Sequence, residues 1–190
     1  PGLGRSAAID QITADLYTGT QRPLVVDADG LNALAGADDV LTAPGGPRIL
    51  TPHPGEFARL LGKRLPTREE QVRAAEDLAR RWGCVLVLKG HGTAVTDGSR
   101  TYVNRTGNPG MAVGGSGDVL SGCIAALGAA GLPPFDAACL GVYLHGAAGD
   151  LAAEQLGEDG MTAVDLSRNL PAAIKRYREN DAAVDARDGR

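Results

Sequence analysis

Aromatic residues are scarce in this sequence, at 4% of the chain, so its core has to come from Ala, Val and Leu packing rather than from stacked rings. Long apolar runs are missing too, since none approaches the ~18 residues that a membrane span requires. Cys84, Cys123 and Cys139 lie far apart, with no CxxC pair and no Cys/His cluster at zinc spacing. Set in apolar stretches, they read as small buried hydrophobes. Their odd number, without a signal peptide, predicts a reducing cytoplasm. No basic patch stands out either: 19 Lys and Arg against 23 Asp and Glu leave a net charge of −4. That balance argues against the electrostatic footprint of a nucleic-acid binder. The chain also opens without Met, at Pro1-Gly2-Leu3-Gly4, which reads as the interior of a loop with residues missing upstream.

Glycine, by contrast, is abundant, with 27 of 190 positions, about double the ~7% of ordinary proteins. It follows no three-residue period, so a collagen helix is excluded. Apolar content of 43% suffices for a core and argues against a disordered chain. With neither repeats nor a linker, residues 1–190 read as one domain.

Apolar β-branched runs alternate with helical patterns, which predicts an α/β domain. Strands are expected at Leu24-Val25-Val26, at Ile49-Leu50 and at Val85-Leu86-Val87-Leu88, continuous runs of the kind covered on both faces. A hairpin is expected from Ala94-Val95-Thr96 and Thr101-Tyr102-Val103, joined through Asp97-Gly98. Helices are predicted over Glu56 to Leu61 and Arg68 to Arg81, the latter with Val72, Ala75 and Leu78–Ala79 on one stripe. Three more are expected: one starting near Asp118, with Leu120, Cys123–Ile124 and Leu127 on one face, one over Phe135 to Leu156, and one over Val164 to Tyr177. The tail from Asn180 to Arg190 is charged and Ala-rich and is expected to fray.

Each of the three long strands ends in a polar turn containing Gly or Pro. In an open parallel sheet the ligand lies beyond the carboxyl ends of the strands. Asp27, Asp29, Asn32, His53, Glu56, Lys89 and Thr93 should then face one crevice.

The strongest signal is Gly107-Asn108-Pro109-Gly110-Met111-Ala112-Val113-Gly114-Gly115-Ser116-Gly117-Asp118, with five glycines in twelve residues. Such a run costs chain entropy unless the backbone must turn sharply or approach something closely. It leads into a helix, whose exposed amides and dipole make an anion site. No Gly-Lys-Ser/Thr follows, so it is not a Walker A loop, and Leu120 stands where a dinucleotide fingerprint would have its third glycine. Taken alone, Asp118 reads as an ordinary N-cap or first-turn acid. Beside a phosphate cradle a carboxylate would repel the anion, unless it takes a proton from an attacking hydroxyl. An Asp base next to a backbone anion hole is what phosphoryl transfer to an alcohol requires.

With these residues in view, nearly the whole chain resembles the ADP- or ATP-dependent NAD(P)H-hydrate dehydratases, a ribokinase-like family. The resemblance rests on Val26-Asp27-Ala28-Asp29-Gly30-Leu31-Asn32, Leu50-Thr51-Pro52-His53-Pro54-Gly55-Glu56, Leu88-Lys89-Gly90-His91-Gly92-Thr93 and Asn108 to Asp118. Gly2-Leu3-Gly4 looks like the end of the family's Gly-Pro-Gly turn. The fold it implies is a three-layer α/β/α sandwich with a mostly parallel sheet, here lacking its N-terminal strands, because family members carry further residues before this turn and often a fused epimerase domain.

The activity implied is repair: a nucleotide phosphorylates the ring hydroxyl of (S)-NADH or NADPH hydrate, and phosphate is then eliminated. By resemblance Asp118 is the base, and the amides of Gly115, Ser116 and Gly117 hold the phosphoryl group. Lys89, Gly90, His91, Gly92 and Thr93, with Asn108, Pro109, Gly110, Met111, Ala112, Val113, Gly114 and the three cradle residues, line the nucleotide. Gly4, His53, Asn32 and Glu56, with Asp118, would touch the hydrate. ADP or ATP and Mg2+ are the implied cofactors; no dense carboxylate cluster in the sequence marks the protein ligands of the metal, which keeps much of its water. A homo-oligomer is the implied assembly.

Plainer readings stand beside these. His53 between two prolines could serve a structural turn, Glu56 could be a first-turn acid on a helix dipole, and Lys89 a surface lysine at a strand end. Asp27 and Asp29 could cap the helix entered at Leu31, and Asn32 carries the same ambiguity. His145 reads as packed rather than catalytic, and Met111 and Trp82 as packing. At the level of function the alternatives are a ribokinase-like kinase of a small alcohol such as a vitamin precursor, and an inactive fragment whose open sheet edge needs partner subunits.

Overall fold

The computed structural model describes residues 1–187, with side chains through residue 180. Five strands form one sheet in the order β1 (Leu24–Val26), β2 (Arg48–Leu50), β3 (Val85–Leu88), β4 (Ala94–Thr96), β5 (Thr101–Val103). β1, β2 and β3 pair in parallel, while β4 and β5 form the expected antiparallel hairpin, so the sheet is mixed with its parallel half at the β1 edge. The helices between the parallel strands are α2 (Ala28–Leu34) and α3 (Asp38–Leu41), then α4 (Pro54–Leu61) and α5 (Arg68–Trp82). With α1 (Ala7–Gly19), they bury Tyr17, Leu31, Leu34, Leu41, Phe57, Leu78 and Trp82 against Val26, Leu50, Leu86 and Leu88.

The alternate residues of the same strands, Ile49, Val85 and Val87, face the other way. There they meet Leu120 and Ile124 of α6 (Ser116–Ala129) and Ala138 and Val142 of α7 (Pro134–Leu156). α8 (Ala163–Arg187) packs outside α7 through Leu170, Ala173 and Ile174. The three layers of an α/β/α sandwich follow from strands that are apolar on both faces. Among the described residues, no helix is long and apolar enough to cross a membrane.

Strand expectations hold to within a residue, and α5 buries the predicted stripe of Ala75, Leu78 and Ala79. Two points differ. α1 precedes the first expected strand, and it buries only Thr13 and Tyr17 while leaving Ile12 and Leu16 exposed, too narrow a stripe for periodicity to register. α8 continues past Tyr177 to Arg187, through residues expected to fray; the part of that expectation on residues 188–190 lies outside the described residues. Cys84 is buried and its thiol is pushed up to about 12 by burial, in keeping with an inert hydrophobe, while Cys123 and Cys139 are only partly buried.

One arginine closes the α1 side of this layer. Arg48, the first residue of β2, is 1% exposed, and among the described residues no carboxylate pairs with it. Its guanidinium instead donates to the carbonyls of Tyr17 at 2.8 Å, Thr20 at 2.6 Å and Arg22 at 3.2 Å. It thereby satisfies the orphan carbonyls at the end of α1 and sits 5.3 Å from the Tyr17 ring centroid. Removing it leaves the partly buried Thr20 and Arg22 carbonyls unpaired and the Tyr17 carbonyl with the Gly45 amide as its one remaining donor. Arg48→Met should therefore destabilise by about 2–4 kcal/mol, read as a lower urea midpoint at unchanged slope. A loss below about 0.5 kcal/mol would mean that water replaces the guanidinium at no cost.

Candidate active site

The carboxyl ends of β1, β2 and β3 come together as the strand-end rule anticipates. Asp27 follows β1 and stands at the N-cap of α2, but its side chain makes no capping bond. Its carboxylate, 3% exposed, instead accepts from Nζ of Lys89 at 2.7 Å and from Oγ of Ser121 on α6 at 3.1 Å. Lys89, at the end of β3, also lies 3.8 Å from the carboxylate of Glu56, itself buried. Lys89 is thus no surface lysine, and Asp27 no mere cap.

Ala28, between Asp27 and Asp29, has φ of +47°, the one positive value outside glycine among the described residues. This costly backbone state lies between an Asp27 held inside the site and an Asp29 whose carboxylate accepts from the Gly4 amide at 2.9 Å. Gly4 is thereby drawn onto α2. Asn32 of the same helix accepts from Nε of Arg59 at 2.8 Å, tying α2 to α4.

His53 and Glu56 form a reciprocal box at the start of α4. Nδ1 of His53 accepts from the amides of Gly55 and Glu56 at 2.9 and 3.3 Å, and Glu56 accepts from the His53 amide at 2.7 Å. The structural-turn reading of His53 is therefore correct as far as Nδ1 goes. That commitment leaves Nε2 as the nitrogen of the half-exposed ring that carries the proton, 3.4 Å from Glu56.

The glycine loop arrives from the other layer. Gly115 caps α6 with φ of +88°, a conformation open to glycine. Gly117 lies so close to the charged cluster that a Cβ there would stand 3.3 Å from both Asp27 Oδ2 and Lys89 Nζ. The helix begins at Ser116, two residues before the position expected. Asp118 falls in its first turn rather than at the cap, about 100° around the helix from Gly117, with an exposed carboxylate that engages no other described residue.

Behind Ser116, Nε2 of buried His145 meets the Ser116 hydroxyl at 3.3 Å. Burial, opposed by the bond to Ser116 and aided by the nearby Lys89 charge, pushes this imidazole down to about 4. It is neutral near pH 7, as a packed histidine should be.

The Gly90–Gly92 turn is held from outside by Arg68, the first residue of α5. Its guanidinium donates to the carbonyls of Leu88 at 2.8 Å, Gly92 at 3.0 Å and Lys89 at 3.3 Å, and Thr93 closes the turn onto the Gly90 carbonyl at 2.9 Å. His91 is exposed. Sequence reasoning passed over Arg68 and Ser121. Two signals were present: a base at a helix start, where the dipole favours acids, and the four-residue spacing of Gly117 and Ser121.

Comparison with known proteins gives the family and the fold. Residues 1–172 match the family model described as NAD(P)H-hydrate dehydratase. The chain is 51% identical over 182 residues to the bifunctional NAD(P)H-hydrate repair enzyme Nnr of Moorella thermoacetica, covering 94% of this chain but 34% of that protein. It thus spans about a third of such curated relatives. Among solved structures, it superposes on the ADP/ATP-dependent NAD(P)H-hydrate dehydratase of Bacillus subtilis co-crystallised with ATP/Mg2+ with a TM-score of 0.82 and 35% identity, covering 93% of this chain and 62% of that one. A ribokinase-like superfamily protein of Enterococcus faecalis gives a TM-score of 0.78 at 31% identity, over 93% of this chain and 61% of the other, which fixes the fold as ribokinase-like.

The buried imidazole has a pH consequence. Its folded value of about 4 lies below the ordinary 6.5, so between those values the unfolded chain binds a proton that the folded chain refuses. Stability therefore rises with pH through that window and is fully present above about 6.5. From about pH 7 to about pH 4.5, the protein should lose on the order of 2 kcal/mol more stability than His145→Gln does. Urea titrations at the two pH values check this, and parallel losses would refute it.

Proposed function

This chain belongs to the NAD(P)H-hydrate dehydratase family, and from that premise we propose that it carries the nucleotide-dependent dehydration of hydrated NADH and NADPH. The observation that carries the proposal is the start of α6, where Gly117 lies against the Asp27–Lys89 pair and the exposed acid Asp118 is one residue further on. Of the three amides expected to form the cradle, that of Ser116 donates to the Val113 carbonyl at 3.3 Å and would have to exchange this bond for the ligand.

In this reading the terminal phosphoryl group of ADP or ATP rests on the cradle amides, where backbone donors and the helix dipole favour developing negative charge. The ring hydroxyl of the hydrate attacks phosphorus, its proton passes to the Asp118 carboxylate, and the shortened nucleotide leaves. The C–O bond then breaks, phosphate departs with the electron pair, and loss of the neighbouring ring proton restores the double bond. The turn from Lys89 to Thr93 and the loop from Asn108 to Gly117 would line the nucleotide. The hydrate would lie between Gly4, His53 and Asp118, with His53 offering its Nε2 proton. Asn32 and Glu56 act one step back, through Arg59 and His53.

Magnesium fits sparsely but coherently. Asp27 and Glu56 outnumber Lys89 by one negative charge, and among the described residues no group of three or more His, Cys, Asp and Glu converges. Such a hard-oxygen pair suits an ion that keeps most of its water and phosphate ligands; the two carboxylates would hold it, and it would neutralise phosphate charge.

Incubation with hydrated NADH and either ADP or ATP should restore absorbance in the NADH band with stoichiometric release of phosphate. Consumption of nucleotide on a thiazole or pyrimidine alcohol, with no recovery of NADH, would sink the proposal in favour of a kinase. Asp118→Asn should keep nucleotide binding and lose turnover by on the order of 10²-fold or more; near-normal turnover would reject Asp118 as the base.

A further inference from the structure

The glycine loop is gripped at both ends by one helix. Asp150 is the only acid or base, His145 apart, on α7 between Asp136 and Glu154, and it turns both carboxylate oxygens onto the start of the loop. Oδ2 accepts from the Gly107 amide at 2.9 Å and Oδ1 from Nδ2 of Asn108 at 3.0 Å. Asn108 has no freedom to turn over, because its own Oδ1 accepts from the Gly110 amide at 3.1 Å. Five residues earlier on α7, His145 holds Ser116 at the other end of the loop.

Between these two grips the helix meets the chain around the loop with two glycines. A Cβ on Gly146 would stand 2.2 Å from Oγ1 of Thr106, and one on Gly149 2.3 Å from the sulfur of Met111. Thr106 in turn donates to the Tyr143 carbonyl at 2.9 Å. The small residues of α7 let the loop lie against the helix axis, and the two polar residues fix where it begins and ends.

A carboxylate so near an anion cradle lowers the affinity of that cradle for phosphate, and among the described residues no basic side chain pairs with Asp150 to offset it. What a carboxylate supplies here, and an amide does not, is two acceptors for two donors. We propose that Asp150 is a positioning residue for the nucleotide: it fixes Gly107 and Asn108, and with His145 at the far end it holds the amides of the loop in the arrangement that receives a phosphoryl group. The identity of that ligand rests on the function proposed above; the latch itself does not.

The hydrogen-bond pattern supplies its own test. In Asp150→Asn the new amide nitrogen would face Nδ2 of Asn108, donor against donor. Asn108→Asp would set two carboxylates face to face. In the double variant D150N/N108D every bond is available again, with only the one between the two side chains reversed in polarity, and the net charge of the protein is unchanged. Amide hydrogen exchange, measured without nucleotide, should accelerate at Gly107 and Gly110 by about tenfold or more in each single variant and return to within about threefold of the parent in the double. Singles that exchange at the parental rate, or a double as fast as the singles, would overturn the latch.

Calorimetry with ADP should show affinity weakened about tenfold in Asp150→Asn and largely recovered in the double, while KM for the hydrated cofactor stays at its parental value. Equal ADP affinity in all four proteins would overturn the positioning role even where exchange responds. A parent protein that binds no ADP would overturn the nucleotide role together with the function proposed above, and the exchange cycle alone would then decide the latch.

Discussion

Two carboxylates and one ammonium, all largely shut off from water, meet where three parallel strands end. Asp27, Glu56 and Lys89 come from three separate segments, and none is tolerable in that position without the others. Removing one partner of a buried ion pair costs about 3–5 kcal/mol, because it leaves the other charge uncompensated. The register of β1 and β3 is thus tied to the electrostatics of the site: a slip of one residue would send Asp27 or Lys89, each directly after its strand, to the opposite face. Glycine at 117 and the hydroxyl of Ser121 extend the constraint to the second helical layer. α6 approaches so closely that a side chain at position 117 would have to displace Asp27 and Lys89 by a few tenths of an ångström, and Ser121 bonds the helix to Asp27.

This cluster explains how opposite requirements coexist. The anion cradle proposed above would sit over an excess of negative charge, which is unfavourable in isolation. Lys89 offsets one of the two negative charges, and the α6 dipole adds partial positive charge on the same side. Arg68 supplies a further positive charge behind the Gly90–Gly92 turn, with carbonyl dipoles rather than carboxylates as its partners. Burial depresses its basicity for the same reason that an uncompensated cation is costly. An arriving polyanion would meet backbone donors first and find cations directly beneath them.

Much of this was legible from residue order, and the exceptions have physical causes. β-branched runs closed by Gly or Pro located every strand, and the strand-end rule gathered Asp27, His53, Glu56 and Lys89 before any coordinates. α1 escaped because a helix that buries only two side chains has almost no periodicity to detect. Capping confused Asp27, since an acid at a helix start looks the same whether it bonds its own amides or turns inward. His53 is both things at once, a cap through Nδ1 and a candidate donor through Nε2, a division that only the positions of the Gly55 and Glu56 amides reveal. Asp150 left a trace, a lone acid in a stretch of Ala, Gly and Leu, but its partners lie more than 40 residues away in sequence, beyond the reach of local pattern.

The small residues of α7 have a consequence for packing as well. Gly141 faces Ile124 so closely that a Cβ there would stand 2.6 Å from its side chain, and Gly146 and Gly149 do the same for the loop. Each exchanges the burial of a methyl group, worth about 0.8 kcal/mol, for closer approach of backbone. In a helix interior each glycine also costs roughly 1 kcal/mol of propensity relative to Ala. A helix of 23 residues absorbs these losses because its other faces bury Leu144, Ala148 and Leu151 against α8. The same helix therefore serves as core on one side and as a mould for the glycine loop on the other, so that the shape of the loop is set by the element beside it as well as by its own sequence.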